Sequence, residues 1–240
     1  MNAIQVDIQA VQEKLVDKLR PSGWADKLKA FIMTEDFADI LQKLKVMRDE
    51  DKRFTPPLKD VFAAFEQCPY QNLKVVVIGQ DPYPQLGVAD GIAFSCGKTM
   101  AMQPSLKYLL EAVEDTVYAG FPTQEDPNLA RWANQGVLLL NTALTVEVNK
   151  VGSHYDLWQP FIAYVIDILS WNNPGLIWIF MGKKAQELES LVSSNHYKFE
   201  ISHPASAAYQ KASKWECEDV FNKTNKILEA NNGSSFKIQW

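Results

Sequence analysis

The chain is poor in the residues that build metal centres and disulfide frameworks. Its 240 residues include only 3 cysteines and 3 histidines. Cys68, Cys96 and Cys217 form no CxxC pair, and their odd number points to free thiols in a reducing compartment. His154, His196 and His203 are far apart and match no zinc-ligand spacing, so no metal is expected. Neither GxGxxG nor GxxxxGK[ST] occurs, which leaves dinucleotide and phosphoryl chemistry without a phosphate cradle. No apolar run is long enough to span a membrane, and MNAIQVDIQAVQEK lacks the basic and apolar regions of a signal peptide. Basic charge is short as well: 24 Lys and Arg stand against 29 Asp and Glu, a net charge of −5. Any nucleic-acid contact must then be local. These absences together predict a soluble, cytoplasmic protein.

What is present suits one large α/β domain: 47% hydrophobic and 22% charged residues, on a chain long enough to bury a sizeable core. Residues 1–55 read as a helical N-terminal region and 56–240 as the part that carries the motifs. Ile4, Ile8, Val11, Leu15 and Leu19 keep helical spacing and predict a helix over Ile4–Leu19. Further helices are predicted over Ala25–Phe31 and over Glu35–Glu50, the latter capped by Thr34. Beyond Pro56, short apolar runs predict buried strands at Val75–Gly79, Val137–Asn141 and Leu176–Met181, and a fourth, shorter strand is predicted at Lys198–Ser202, ending at His203-Pro204. Helices are predicted between and around them, over Leu58–Cys68, Leu106–Tyr118, Leu129–Gln135, Leu157–Trp171, Lys183–Leu191 and Glu218–Ala230. Such alternation implies a central four-stranded, mainly parallel sheet flanked by helices on both faces.

Parallel strands bring their carboxyl ends to one rim, where ligands bind in open α/β sheets. Here those ends carry Gln80-Asp81, Asn141, Gly182-Lys183 and His203. Asp and His without a Ser or Cys nucleophile make no triad. A carboxylate facing an imidazole fits hydrolysis through a cationic, oxocarbenium-like transition state. Asn141 offers a donor and an acceptor to the edge of a planar base, and Tyr83 and Phe94 offer stacking walls. From the residues alone, the reading is a hydrolase acting on a planar, hydrogen-bonding substrate.

Five segments in order, GQDPYP (79–84), ADGIAFS (89–95), GVLLLNTALTVE (136–147), WIFMGKKAQ (178–186) and SHPASAAY (202–209), resemble the motifs of the family 1 uracil-DNA glycosylases. The resemblance runs from about Pro56 to the end. It implies an enzyme that flips uracil out of DNA and hydrolyses its N-glycosidic bond without cofactor or metal. It also implies roles. Asp81 orients water and stabilises the sugar cation, and His203 hydrogen-bonds O2 of the departing uracil. Gln80 holds the base through its backbone, Asn141 pairs with N3 and O4, Phe94 stacks, and Tyr83 blocks a thymine methyl. The alternative is a glycosylase-like DNA-binding or replication scaffold, with the amphipathic first helix as its partner surface.

Departures concern the grip on DNA. Pro84 stands where the family carries His, and the proline-rich loop is reduced to Gln103-Pro104-Ser105. Lys183 replaces a Ser after Gly182. The last loop reads His203-Pro204-Ala205-Ser206-Ala207-Ala208, with Ala207 at the position of the leucine wedge and Tyr209 as a substitute. Lys183, Lys184, Lys198, Lys211 and Lys214 form a candidate basic rim. The expected partners are uracil-containing DNA, preferably single-stranded or mismatched, and a protein inhibitor that mimics DNA. A monomer is expected.

Overall fold

The computed structural model describes residues 7–121 and 126–240. Three helices occupy the first fifty residues: α1 (Ile8–Leu19), α2 (Ala25–Ile32) and α3 (Glu35–Asp49). Asp7 caps α1 by accepting from the Ala10 N–H at 3.1 Å, and Thr34 caps α3 by accepting from the Phe37 N–H at 3.3 Å. Ile4, the expected start of α1, lies outside the described residues.

A two-residue strand, β1 (Phe54–Thr55), follows. The helix expected over Leu58–Cys68 is instead a 3₁₀ turn at Leu58–Asp60 and a short α4 (Ala63–Gln67). The Gly91 backbone crosses here: its carbonyl takes the Ala64 N–H, and a Cβ on Gly91 would lie 1.7 Å from the Asp60 carbonyl oxygen. One continuous helix would leave no room for that crossing. The chain then runs through β2 (Val75–Gly79), α5 (Pro104–Val117), α6 (Ala130–Ala133), β3 (Val137–Asn141) and β4 (Val146–Glu147). It continues with α7 (Tyr155–Asn172), β5 (Ile177–Met181), α8 (Lys183–Gln186), β6 (Tyr197–Ile201), α9 (Pro204–Gln210) and α10 (Val220–Asn232).

Helix α9 corrects the sequence reading, which has a loop after His203. Proline at the first helical position and an alanine-rich turn favour a helix here. The helix expected over Lys183–Leu191 likewise ends at Gln186 and resumes as a 3₁₀ turn at Glu189–Leu191. Strands β1 and β4 pair antiparallel in a small ribbon too short for any periodicity to announce.

The main sheet has the order β3-β2-β5-β6, with every pair parallel. Alternate residues serve opposite cores, as the period of two requires. Val76, Ile78, Leu138, Leu140, Trp178 and Phe180 pack with residues of α1–α4 and α7. Val75, Val77, Leu139, Ile177 and Ile179 pack against α5, α6 and α10. From β2 the chain steps to β3 on one side, then crosses to β5 on the other. The carboxyl end of β2 is therefore the switch point, where a crevice opens between diverging loops.

Trp24 ties the N-terminal helices to the segment that leads into β2. It is fully buried, donates its indole N–H to the Cys68 carbonyl at 2.7 Å, and meets Phe65 and Tyr70 edge-on at 4.9 and 5.0 Å. Trp24→Ala is expected to lower unfolding stability by about 3–5 kcal/mol, read as a shift in urea midpoint across a single transition. Two separated transitions would show that the N-terminal helices fold apart from the sheet.

Candidate active site

Strand β2 ends on Gly79 because no side chain fits there. A Cβ would stand 2.6 Å from Asn141 Oδ1 and 3.0 Å from Phe94 Cε2. Glycine thus lets an amide and an aromatic ring close over the strand end. The neighbouring strand exits are laced together: Thr142 N–H donates to the Gly79 carbonyl at 3.1 Å, and Thr142 Oγ1 to the Gln80 carbonyl at 2.8 Å. Pro82 and Pro84 then stiffen the loop that carries Asp81 and Tyr83.

A cleft of ≈ 590 Å³ opens at this end, walled by Gln80, Asp81, Tyr83, Phe94, His203 and Tyr209, with Pro84, Pro104, Ser105 and Ala205 at its margin. A tighter recess beside it shares Tyr83 and Phe94 and is lined by Asn141, which is only 8% exposed. The Tyr83 hydroxyl donates to the Phe94 carbonyl at 2.8 Å and lies 3.1 Å from Ser105 Oγ, so its ring is a fixed wall. Phe94 itself sits at φ 67°, a left-handed conformation that turns its ring into the recess, 5.3 Å from the His203 ring.

Asp81 is anchored by one oxygen. Oδ2 accepts from the Gly152 N–H at 3.0 Å and from the Tyr155 hydroxyl at 2.7 Å. Oδ1 is buried without a partner among the described residues. Burial raises the Asp81 pKa above the ordinary carboxylate value, and the Tyr155 and Gly152 hydrogen bonds oppose that rise.

His203 caps α9: its Nδ1 accepts the Ala205 N–H at 3.1 Å. An accepting Nδ1 carries no proton, so the neutral ring holds its hydrogen on Nε2. Burial lowers its pKa to about 4. The ring is therefore a neutral donor at physiological pH.

The structure brings Gln80, Asp81, Tyr83, Asn141 and His203 together from the ends of β2, β3 and β6, with Phe94 from the loop between β2 and α5. Other predicted residues stand differently. Pro204 and Ala207 are buried, Ala207 at 5% exposure, so the residue expected at the position of the leucine wedge faces the core. The helical turn that α9 imposes sets Tyr209 on the open side instead, 86% exposed. Ser206 Oγ donates back to the His203 carbonyl at 2.7 Å. Gly182 packs under the imidazole, where a Cβ would meet His203 Cβ at 2.9 Å, and Lys183 is exposed outside the cleft wall.

Of the proposed basic rim, Lys184, Lys198 and Lys214 pair with Glu187, Glu189 and Glu216 at 2.9, 2.7 and 3.0 Å. Lys183 and Lys211 have no ion pair among the described residues. Gly152 and Tyr155, which hold Asp81, were not legible in the sequence, where the helix was expected to begin only at Leu157. His154 is structural, with Nδ1 2.8 Å from Thr145 Oγ1. All three cysteines are buried free thiols, and burial pushes Cys68 up to about 12. No His, Cys, Asp or Glu cluster suited to a metal occurs among the described residues, and no helix there is long and apolar enough to cross a membrane.

The lowered His203 pKa has a stability consequence. An unfolded chain protonates this residue near 6.5, whereas the folded chain refuses the proton down to about 4. Stability is full above about pH 6.5 and is lost as pH falls towards 4, with a slope of at most about 1.4 kcal/mol per pH unit from this group. His203→Gln is expected to flatten the decline of unfolding free energy across that window by up to one proton. Parallel wild-type and variant curves in denaturant titrations would contradict the neutral, accepting Nδ1.

Comparison with known proteins agrees with this geometry. The family model described as the Uracil DNA glycosylase superfamily matches residues 65–229. The chain is 34% identical over 210 residues to a uracil-DNA glycosylase of Christiangramia forsetii, covering 87% of this chain and 93% of that one. It is 32% identical over 219 residues to that of Acinetobacter baylyi, covering 90% and 91%. Among solved structures, mimivirus uracil-DNA glycosylase superposes with a TM-score of 0.79 at 26% identity, covering 90% of this chain and 86% of that one. A tyrosine-to-leucine variant of the mimivirus protein, solved in complex with UGI, superposes with a TM-score of 0.81 at 26% identity, over 94% and 90%. Fold, strand-end site and sequence similarity agree, and the chain belongs to the uracil DNA glycosylase superfamily.

Proposed function

We propose that the cleft takes a uracil nucleotide extruded from DNA and hydrolyses its N-glycosidic bond, with Asp81 and His203 as the catalytic residues. The chain is a uracil-DNA glycosylase, a hydrolase of N-glycosidic bonds in DNA repair. One observation carries the assignment of roles: a carboxylate with one free oxygen and an imidazole fixed as a neutral Nε2 donor face one cleft. The C1′–N1 bond breaks and its electron pair leaves on uracil. Asp81 stabilises the sugar cation and orients the water, whose oxygen bonds to C1′ as its proton passes to the Asp81 carboxylate. The His203 Nε2–H meets the charge growing on uracil O2.

Asn141 presents an acceptor to N3–H and a donor to O4. Cytosine offers the reverse pattern and leaves buried polar groups unpaired, a discrimination on the order of 10⁴-fold. The Gln80 backbone completes the contacts to the base, and Phe94 stacks on it. The fixed Tyr83 ring stands where a thymine methyl would go.

Grip on duplex DNA is thinner than the chemistry. Tyr209 serves as the wedge on the open side of α9, and only Lys183 and Lys211 of the five rim lysines can meet phosphates without first leaving an ion pair. Single-stranded and mismatched uracil, already unstacked, is the preferred substrate. The reading includes a cytoplasmic monomer in which residues 1–55 and 56–240 act as one domain. It also includes a DNA-mimicking inhibitor protein as a partner; the similar mimivirus variant is solved in complex with UGI. The scaffold alternative loses its partner surface, since α1 buries Val16 and Leu19 in the core.

Release of free uracil from a labelled oligonucleotide, single-stranded and as a U:A duplex, with and without chelator, tests the proposal. Excision is expected on both forms, faster on the single strand and indifferent to chelator. Tyr209→Ala is expected to slow duplex excision by about 10-fold while leaving the single strand within about twofold, from the loss of one aromatic stacking contact. Equal losses on both substrates would remove Tyr209 from the wedge role.

A further inference from the structure

We propose that Tyr155 is a positioning residue of the reaction: its hydroxyl, with the Gly152 N–H, clamps one oxygen of Asp81 and turns the other towards the reacting centre. The proposal rests on the reading above, in which Asp81 faces the sugar.

Three observations carry it. The first is an asymmetry. Both hydrogen bonds, at 2.7 and 3.0 Å, converge on Oδ2, while Oδ1 is buried and unpartnered among the described residues. A carboxylate has room for about four acceptor contacts. Placing both donors on one oxygen fixes the carboxylate plane and leaves the other oxygen for substrate or water.

The second is a matched surface. Gly152 sits at φ 81°, and a Cβ there would lie 3.1 Å from Tyr155 Cε2. The turn before α7 is thus shaped to let the phenol ring lie against its backbone while both donors reach the same atom. Tyr155 is also the first residue of α7, whose buried positions Trp158, Phe161 and Ile162 anchor the helix in the core. The hydroxyl is therefore delivered from a rigid element rather than from a free loop.

The third is the charge setting of the phenol. Lys184 Nζ lies 5.6 Å from the ring centroid, and Glu187 pairs with that lysine. Burial and the Asp81 carboxylate raise the Tyr155 pKa, so it stays a protonated donor throughout the working pH range. The groups bearing on Asp81 are then the Tyr155 hydroxyl and the Gly152 N–H from the α7 side, with neutral His203 across the cleft. Nothing in the sequence motifs marks either donor.

Tyr155→Phe removes only the oxygen. Uracil release is measured on a single-stranded uracil oligonucleotide across pH, for wild type and variant. The expected result is a fall in kcat of about 10- to 100-fold with KM unchanged, the loss of one hydrogen bond to a charged group. The acid limb of the kcat profile should also move to higher pH, because losing a donor raises the Asp81 pKa. A merely structural role predicts lower thermal stability with kcat and the acid limb unchanged, and that result overturns the proposal. The limb position is read from whatever fraction remains folded, so partial unfolding does not obscure it. An inactive wild type would instead defeat the functional reading itself, whereas an active wild type matched by its variant defeats only the role of Tyr155.

Discussion

A carboxylate must stay ionised in a cleft that disfavours charge. Asp81 is placed just beyond the end of a fully buried strand, where burial raises its pKa, yet the proposed chemistry needs its anion. Two donors on Oδ2 offset part of that burial, and the rest of the site follows from where they come from. The Gly152 turn and the first residue of α7 must reach across to the loop after β2, so the exits of β2 and β3 and the turn before α7 are locked in register. Thr142 fastens the β2 and β3 exits. Gly79 leaves the gap through which Asn141 and Phe94 reach the base site. Opposite them, α9 holds His203 in the one tautomer that donates into the cleft. In the proposed reaction an anion and a neutral donor then flank the bond to be broken.

The chemistry is carried by strand ends, and strand ends are what a sequence shows best. Three of the four sheet strands are legible as short apolar runs, since residues packed on both faces leave no polar alternation to confuse; β6 is an edge strand with exposed Tyr197 and Glu200 and is legible only as the short segment before His203-Pro204. Asp81 and Asn141 are legible because each follows or closes such a run, and His203 because it follows the fourth, shorter strand. The donors to Asp81 are not. One is a backbone N–H, which any residue type supplies, and the other is a tyrosine whose helix was expected to start two residues later. Helix α9 was hidden by His-Pro, which reads equally as a turn and as the start of a helix. Only with the helical turn in place does Ala207 rotate into the core and Tyr209 out of it. The β1–β4 ribbon escaped because two residues per strand carry no period.

The same division separates catalysis from grip. Catalytic groups are fixed by backbone geometry at the rim of the sheet. The surfaces that would meet DNA are made of short helices and of lysines largely committed to neighbouring glutamates, on a chain of net charge −5. Exposed ion pairs contribute little stability, so Lys184 and Lys214 can leave theirs for phosphate at small cost, whereas the partly buried Lys198 is held by Glu189 and the Val192 carbonyl. Binding should then be more sensitive to salt than catalysis is.

The most direct test of the central claim is single-turnover uracil release by Asp81→Asn, paired with its melting temperature at neutral pH. Asparagine keeps an acceptor for Gly152 and Tyr155 but removes the charge. The account predicts a loss of at least about 10²-fold in rate, as for other preorganised electrostatic groups. It also predicts no loss of melting temperature, because the folded state already penalises the Asp81 anion. A variant that retains the wild-type rate would contradict it.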